Sequence, residues 1–308
     1  MITGLDPAKE QFLSAIDNLQ SRMNNAQLQL SSGLRVNKPS DAPQQLGDIF
    51  QTRADLARVT QIDANLGIAK AQADAADSSL QSAVQLLQNA AVLGTQGAGS
   101  TVSASVRTTL ANQVQDLESQ LVGLSRTQVA GVYIFSGDDA GSPAYQVNTS
   151  SSTGVDRLIT PAATAQIADP TGITFPIAKT AQDLFDNRDA NDNPTAQNAF
   201  AALHNLQTAL QSGDSNAIGQ AITGVQTAGD YLNQQLGFYG TIQDRINSAI
   251  DLTKKFEVQS QAQLSSLQDA DIPSLALELT QTTTGLQAAM AAQAKRPTTS
   301  LFDYLPTI

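Results

Sequence analysis

From Phe12 onward, apolar or small side chains recur at alternating spacings of four and three, through Ile16, Leu19, Met23, Ala26, Leu30 and Gly33. That spacing is the seam of a heptad helix. A second seam lies near the other end, where Leu275, Leu279, Leu286 and Ala289 follow Pro273, which suits a first helical turn, and precede Pro297, which stops the pattern. A lone amphipathic helix of about thirty residues cannot cover its own stripe. Seams at both extremes therefore predict that the two ends pair with each other or with neighbouring copies.

Inside these seams lie longer ones. Ile62, Leu66, Ala69, Ala73, Ala76, Leu80, Ala83, Leu87 and Ala90 run up to the glycine-bearing GTQGAGS at 94–100, and the alanines predict close helix approach. A third helix fits Leu110, Val114, Leu117, Leu121, Leu124 and Gly131, ending at VYIF, 132–135. From 136 to 194 the composition shifts to Gly, Pro, Ser, Thr, Asn and Asp, with β-prone runs at 145–147, 157–160 and 173–177. Helix returns at about 195–212. A longer one covers about 215–269, roughly 80 Å at 1.5 Å per residue if unbroken, with Gly237 and Gly240 as points where it could bend. The expected fold class is mainly α: an elongated helical bundle and coiled coil built from the N- and C-terminal halves, with a small β-rich insertion in the middle. The domain segments expected are 1–43, 44–135, 136–194, 195–269 and 270–308.

Composition removes several functions. Seventeen Lys plus Arg against 28 Asp plus Glu give a net charge of −11, the wrong sign for neutralising phosphate, so no nucleic-acid partner is expected. No cysteine is present, which excludes disulfides, thiolate nucleophiles and Cys-based zinc sites. The start, MITGLDPAKEQFLSAID, lacks the basic and apolar regions of a cleaved leader, and no stretch of about eighteen apolar residues suits a membrane span. The expectation is a soluble chain, without a membrane partner, that could leave the cytoplasm only by a leaderless route.

Candidate chemistry is thin. His204 is the one histidine, so multi-imidazole metal sites are excluded, and with no nucleophile elbow beside it the expectation is an ordinary helix-surface residue. The acidic run DNRDANDNP at 186–194 has Pro194 where a calcium loop needs glycine and Phe200 where it needs glutamate, so a solvated turn is expected. GTQGAGS lacks the Lys-Ser/Thr of a phosphate loop and reads as a connection between helices. The pairs Asp138–Asp139 and Asp269/Asp271 read as exposed loop charge. Arg35 and Lys38 read as makers of local salt bridges or subunit contacts. No catalytic residue, metal or cofactor is expected; the chain does not read as an enzyme.

SSGLRVNKPSDAP, 31–43, directly after the first heptad helix, resembles the amino-terminal signature of the flagellin superfamily. GVYIFSGDDAGSPAY, 131–145, looks like the G-x-Y-I-F-[SA]-G segment of the hook-filament junction proteins within it, and SLFDYL, 300–305, after DADIPSLALELTQTTTGLQAAMAAQAK, is similar to their carboxyl end, where filament flagellins usually finish in a leucine-rich tail. The segment before Phe12, the alanine-rich second helix and the 136–194 insertion depart from that pattern.

The resemblance implies a structural component of the bacterial flagellum rather than a catalyst. Its implied partners are hook-associated protein 1, flagellin, identical copies in a ring and a flagellar export chaperone. Its implied place is extracellular, at the hook-filament junction, reached by type III export. Filament flagellin itself is the alternative, and a generic coiled-coil scaffold a more distant one. Phe12, Ile16, Leu19, Met23 and Leu30 are then expected to face Leu275, Leu279, Leu286 and Ala289 as an inner assembly interface. Arg35, Asn37, Pro39, Asp41 and Pro43 are expected to form an extended joint, since residues preceding proline avoid helix. Leu301, Phe302, Tyr304 and Leu305 make a sticky C-terminal tail.

Overall fold

The structure, a computed structural model, describes residues 7–295. Among these the chain is mainly α. Its helices are α1 (Pro7–Ser32), α2 (Leu46–Gly97), α3 (Ala104–Ser125), α4 (Ala181–Leu184), α5 (Ala199–Ser212), α6 (Ser215–Gln268) and α7 (Ile272–Ala294). The strands form three separate antiparallel pairs: β1 (Gln128–Val129) with β2 (Val132–Tyr133), β3 (Tyr145–Val147) with β4 (Val155–Arg157), and β5 (Gln166–Ala168) with β6 (Thr174–Pro176). Two compact units divide the chain. One comprises the described residues up to Ala57 and from Glu257 onward, the other Arg58–Phe256.

In the larger unit the alanine seam does what its small side chains allow. Ala69, Ala73, Ala76, Ala83 and Ala90 are buried with Leu66, Leu80 and Leu87. Pairings of Gly229 with Leu87 and of Gly94 with Ile222 show α2 and α6 running antiparallel at close range. The closest approach is at GTQGAGS. This segment is not wholly a connection: α2 continues through Gly94 to Gly97, and a Cβ added at Gly97 would lie 2.2 Å from Leu210 Cδ2. Gly94 and Gly97 serve helix contact, and the link to α3 starts after Gly97, with Gly99 inside it. Helix α6 runs through Gly237 and Gly240 within one 54-residue element.

Several boundaries differ from the sequence expectation. Helix α3 ends at Ser125, not near Gly131, because Ala130 (φ 52°) and Gly131 (φ 81°) both take left-handed backbone and make the tight turn between β1 and β2. The second β-prone run pairs as Val155–Arg157 instead of 157–160, in register Tyr145 to Arg157 and Val147 to Val155. Strand β5 and helix α4 had no clear sequence signal. Thr180 caps α4 reciprocally with Asp183.

The 136–194 segment is anchored by aromatic rings that belong to the same contiguous core as the helices. Phe135 meets Phe185 edge-on at 5.6 Å, and Tyr145 meets Phe200 at 5.1 Å between centroids. Beside them the acidic run is not wholly solvated. Asp186 is fully buried and accepts hydrogen bonds from the Tyr145 hydroxyl (2.9 Å), Arg188 Nε (2.9 Å) and Asn198 Nδ2 (2.6 Å). Only the tip behaves as a turn, with Asp189 Oδ1 accepting from the amides of Asn191 and Asn193. Three donors converging on one carboxylate explain how Asp186 tolerates burial.

His204 is likewise not a surface residue. Its imidazole is mostly covered and its Nδ1 lies 3.8 Å from Oε1 of Glu118, a fully buried carboxylate on α3. Glu118 stands four residues after Val114 and three before Leu121, so it shares their buried face.

Candidate assembly interface

The terminal unit is built on α1 and α7. Leu19 lies against Gly285 while Arg22 pairs with Glu278 at 2.9 Å, so advancing along one helix retreats along the other: the pair is antiparallel. Phe12, Ile16, Leu19 and Met23 are half-buried and Ala26 is buried. On α7, Leu275 and Thr282 are buried, and Leu279, Leu286 and Ala289 are half-buried. Thr282 satisfies its hydroxyl locally, donating to the Glu278 carbonyl at 2.8 Å. Helix α7 begins on Asp271, whose carboxylate caps the Ser274 amide, with Pro273 in the first turn.

Leu30 departs from the expected seam and is exposed at 38%. A straight α-helix turns once per 3.6 residues, not 3.5, so a strict heptad drifts off the contact line. Gln29 turns inward instead, its amide donating to the Arg35 carbonyl at 3.2 Å. Leu13 and Leu28 on α1, with Leu277 and Met290 on α7, also stay exposed. The helix pair therefore carries apolar surface that its two members do not cover.

The joint follows at once. Gly33 takes left-handed backbone (φ 71°) and its amide donates back to the Gln29 carbonyl at 2.9 Å, which ends α1. The chain then stitches to the end of α6: the Arg35 amide donates to the Gln268 carbonyl (2.7 Å), the Ala270 amide to the Gly33 carbonyl (3.0 Å), and Leu34 bridges Asp269. Among the described residues Arg35 makes no salt bridge. Its Nη2 donates to the Leu267 carbonyl (2.6 Å) and to Gln45 Oε1 (3.0 Å), completing exposed acceptors at the end of α6. Arg53 donates to Gln268 Oε1 from α2.

The proline segment is not extended throughout. Lys38 is extended (φ −130°, ψ 152°), as a residue before proline should be, but Pro39–Asp41 form a single 3-10 turn with Pro39 at its first position. Asp41 Oδ2 fixes that turn by accepting from the amides of Asn37 (2.9 Å) and Lys38 (2.8 Å), while Asn37 Nδ2 donates to the Leu34 carbonyl. Pro43 is exposed. Beside the turn, Val36, Pro39, Leu46, Ile49 and Phe50 line a shallow groove with Lys38, Arg53 and Gln268, and Phe50 is 60% exposed. Leu301, Phe302, Tyr304 and Leu305 lie outside the described residues.

The structure thus brings Arg35, Asn37, Pro39 and Asp41 together with the carbonyls of Leu267 and Gln268, which the sequence did not single out. It also shows the Arg22–Glu278 pair, whose members flank Met23 and Leu279. Among the described residues no helix is long and apolar enough to cross a membrane.

Residues 8–140 match the family model of the bacterial flagellin N-terminal helical region. Solved structures similar to the chain include one described as a flagellar hook-associated protein from Vibrio parahaemolyticus, 13% identical, with a TM-score of 0.63 over 74% of this chain and 100% of that one. The chain has the hook-associated protein fold. Flagellar hook-associated protein-3 from Legionella pneumophila is 14% identical, with a TM-score of 0.59 over 71% of this chain and 98% of that one. The flagellar junction protein FlgL from the same organism is 13% identical, with a TM-score of 0.53 over 65% and 99%.

Proposed function

We propose that this chain is a structural component of the bacterial flagellum, an adaptor at the hook-filament junction that connects hook-associated protein 1 to flagellin. The observation that carries this is the shared fold, which takes in nearly the whole length of the hook-associated and junction proteins it resembles. The flagellin helical region at 8–140 is what an adaptor needs if it is to offer the filament a flagellin-like surface.

Assembly on this reading is driven by burial. The apolar positions left open on α1 and α7 gain partners when identical copies come together in a ring, and each buried leucine or methionine contributes about 1.5–3 kcal/mol. Phe12, Ile16, Leu19, Met23, Leu275, Leu279, Leu286 and Ala289 form the inner pair on which the ring is built, with Leu30 at its exposed margin. Arg35, Asn37, Pro39, Asp41 and Pro43 form the joint that follows α1. The subunit reaches the cell exterior by flagellar type III export, with an export chaperone.

The flagellin helical region also occurs in filament flagellin, so the filament subunit itself is the second reading. Location separates the two. A gold-labelled chain should mark one point per flagellum, where hook meets filament; label along the whole filament would make the chain a flagellin.

A further inference from the structure

Outside the terminal unit, and apart from Ser136 Oγ, one group of side-chain atoms among the described residues is buried and left without partners. Both carboxylate oxygens of Glu118, Nδ1 of His204 and Oε1 of Gln207 are buried and lack hydrogen-bond partners. Glu118 lies on α3; His204 and Gln207 lie one turn apart on α5. Gln207 Nε2 donates to Gln115 Oε1 at 3.1 Å, so the α3/α5 seam is layered, Gln115 on Gln207 and Glu118 on His204. The 148–155 segment, the turn after β3 together with the first residue of β4, closes the site from the third side. There Gly154 has φ 75°, and a Cβ built on it would lie 1.5 Å from Glu118 Oε1, so this turn fits over the carboxylate only as glycine.

The unpartnered atoms share one property: as ionised carboxylate, neutral imidazole nitrogen and amide oxygen, they are all acceptors. An ionised carboxylate with no donor is among the costliest groups to bury. One proton resolves two of the vacancies, because a carboxylic acid can donate to an unprotonated Nδ1. The partly open side of the imidazole then leaves Nε2–H for solvent. The present 3.8 Å separation is too long for a hydrogen bond and closes with a side-chain adjustment of about 1 Å.

We propose that the folded subunit binds one proton at Glu118, held as a carboxylic acid directed at His204 Nδ1, and that this proton latches the 148–155 turn onto the α3/α5 seam. Burial pushes the Glu118 carboxyl up to about 7 and pushes the His204 imidazole down, so the usual order of acid and imidazole is reversed and the proton rests on the glutamate. Desolvation is the one cause of the Glu118 shift. His204 is the one titratable group that faces it from α5, and 148–155 contains none. Above pH 7 the buried carboxylate ionises without a donor, and the turn that covers it loosens.

The sign of the pH dependence follows. The stability contributed here is complete below the ordinary glutamate value of 4.5 and is lost as pH rises through about 7. His204 acts in the opposite sense below 6.5, and Glu118→Gln keeps an amide donor that can face its Nδ1 in place of the acid. Referred to that variant, the wild-type folding equilibrium should fall on the order of 70-fold between pH 5 and pH 8.

The test uses the full chain. The sequence holds four glutamates and one histidine, so carboxyl-labelled glutamate and nitrogen-labelled histidine give few NMR signals, and E118Q identifies its own by loss. One glutamate signal should titrate with a midpoint near 7, His204 should be neutral with its proton on Nε2 while that signal is still protonated, and amide exchange in 148–155 should accelerate above the midpoint beyond the intrinsic rate in wild type alone. A Glu118 midpoint in the ordinary carboxylate range, an imidazolium paired with an ionised Glu118 near pH 6, or equal pH profiles for wild type and E118Q would overturn the latch. Should E118Q fail to fold, the wild-type titration, assigned through bonds, decides alone.

Discussion

Two glycine-to-alanine substitutions in one helix should move stability in opposite directions. In α2, Gly67 is exposed and a Cβ there meets nothing within 4 Å, so Gly67→Ala removes only the helix cost of glycine and should stabilise by about 1 kcal/mol. At Gly97 the same Cβ would lie 2.2 Å from Leu210 Cδ2, and Leu210 is fully buried, so its methyl cannot turn away into solvent. Overpacking of this kind costs about 1–3 kcal/mol, and the propensity gain is smaller at the last helical residue. The two variants should therefore differ by about 2–4 kcal/mol in urea unfolding followed by helical circular dichroism. Gly97→Ala as stable as Gly67→Ala would refute the close approach of α2 and α5.

Other expected outcomes follow from single sites. Asp186→Ala strands the Tyr145, Arg188 and Asn198 donors in the core and should cost about 3–5 kcal/mol, measured by the same unfolding; a loss under 1 kcal/mol would mean the network is slack. Leu275→Asp with Leu279→Asp should abolish assembly while leaving the Arg58–Phe256 unit folded, as a polymerisation assay and circular dichroism can separate. Replacing Pro39 and Pro43 by Ala should loosen the joint and weaken swimming under viscous load, and motile, mechanically normal filaments would count against a role for these prolines.

Periodicity made the helices legible because long seams survive boundary errors. Gly94 and Gly97 misled because a glycine cluster signals a turn locally, as Gly99 does, whereas these two mark a crossing with α5 and α6, which only the fold supplies. Glu118 shows the same limit from the other side. Its register beside Val114 and Leu121 was visible, but a charged residue reads as solvent-facing until its neighbours are known. Asp186 was hidden in a polar run whose tip is indeed a turn, and its three donors come from residues 2, 12 and 41 positions away. At the joint, two prolines pointed to extended chain, yet the Asp41 side chain bonding back to Asn37 and Lys38 selects a 3-10 turn. The partners of Arg35 are carbonyls at the far end of the sequence, and no charge pattern announces a carbonyl.

The adaptor role is tested most directly by deleting the gene in its source bacterium, imaging the cells by electron microscopy and assaying the medium for flagellin. Hooks that carry no filament, with flagellin monomers lost to the medium, are the expected result. Missing filaments with no monomer released would instead make this chain the filament subunit, and unchanged, motile cells would contradict a flagellar role altogether.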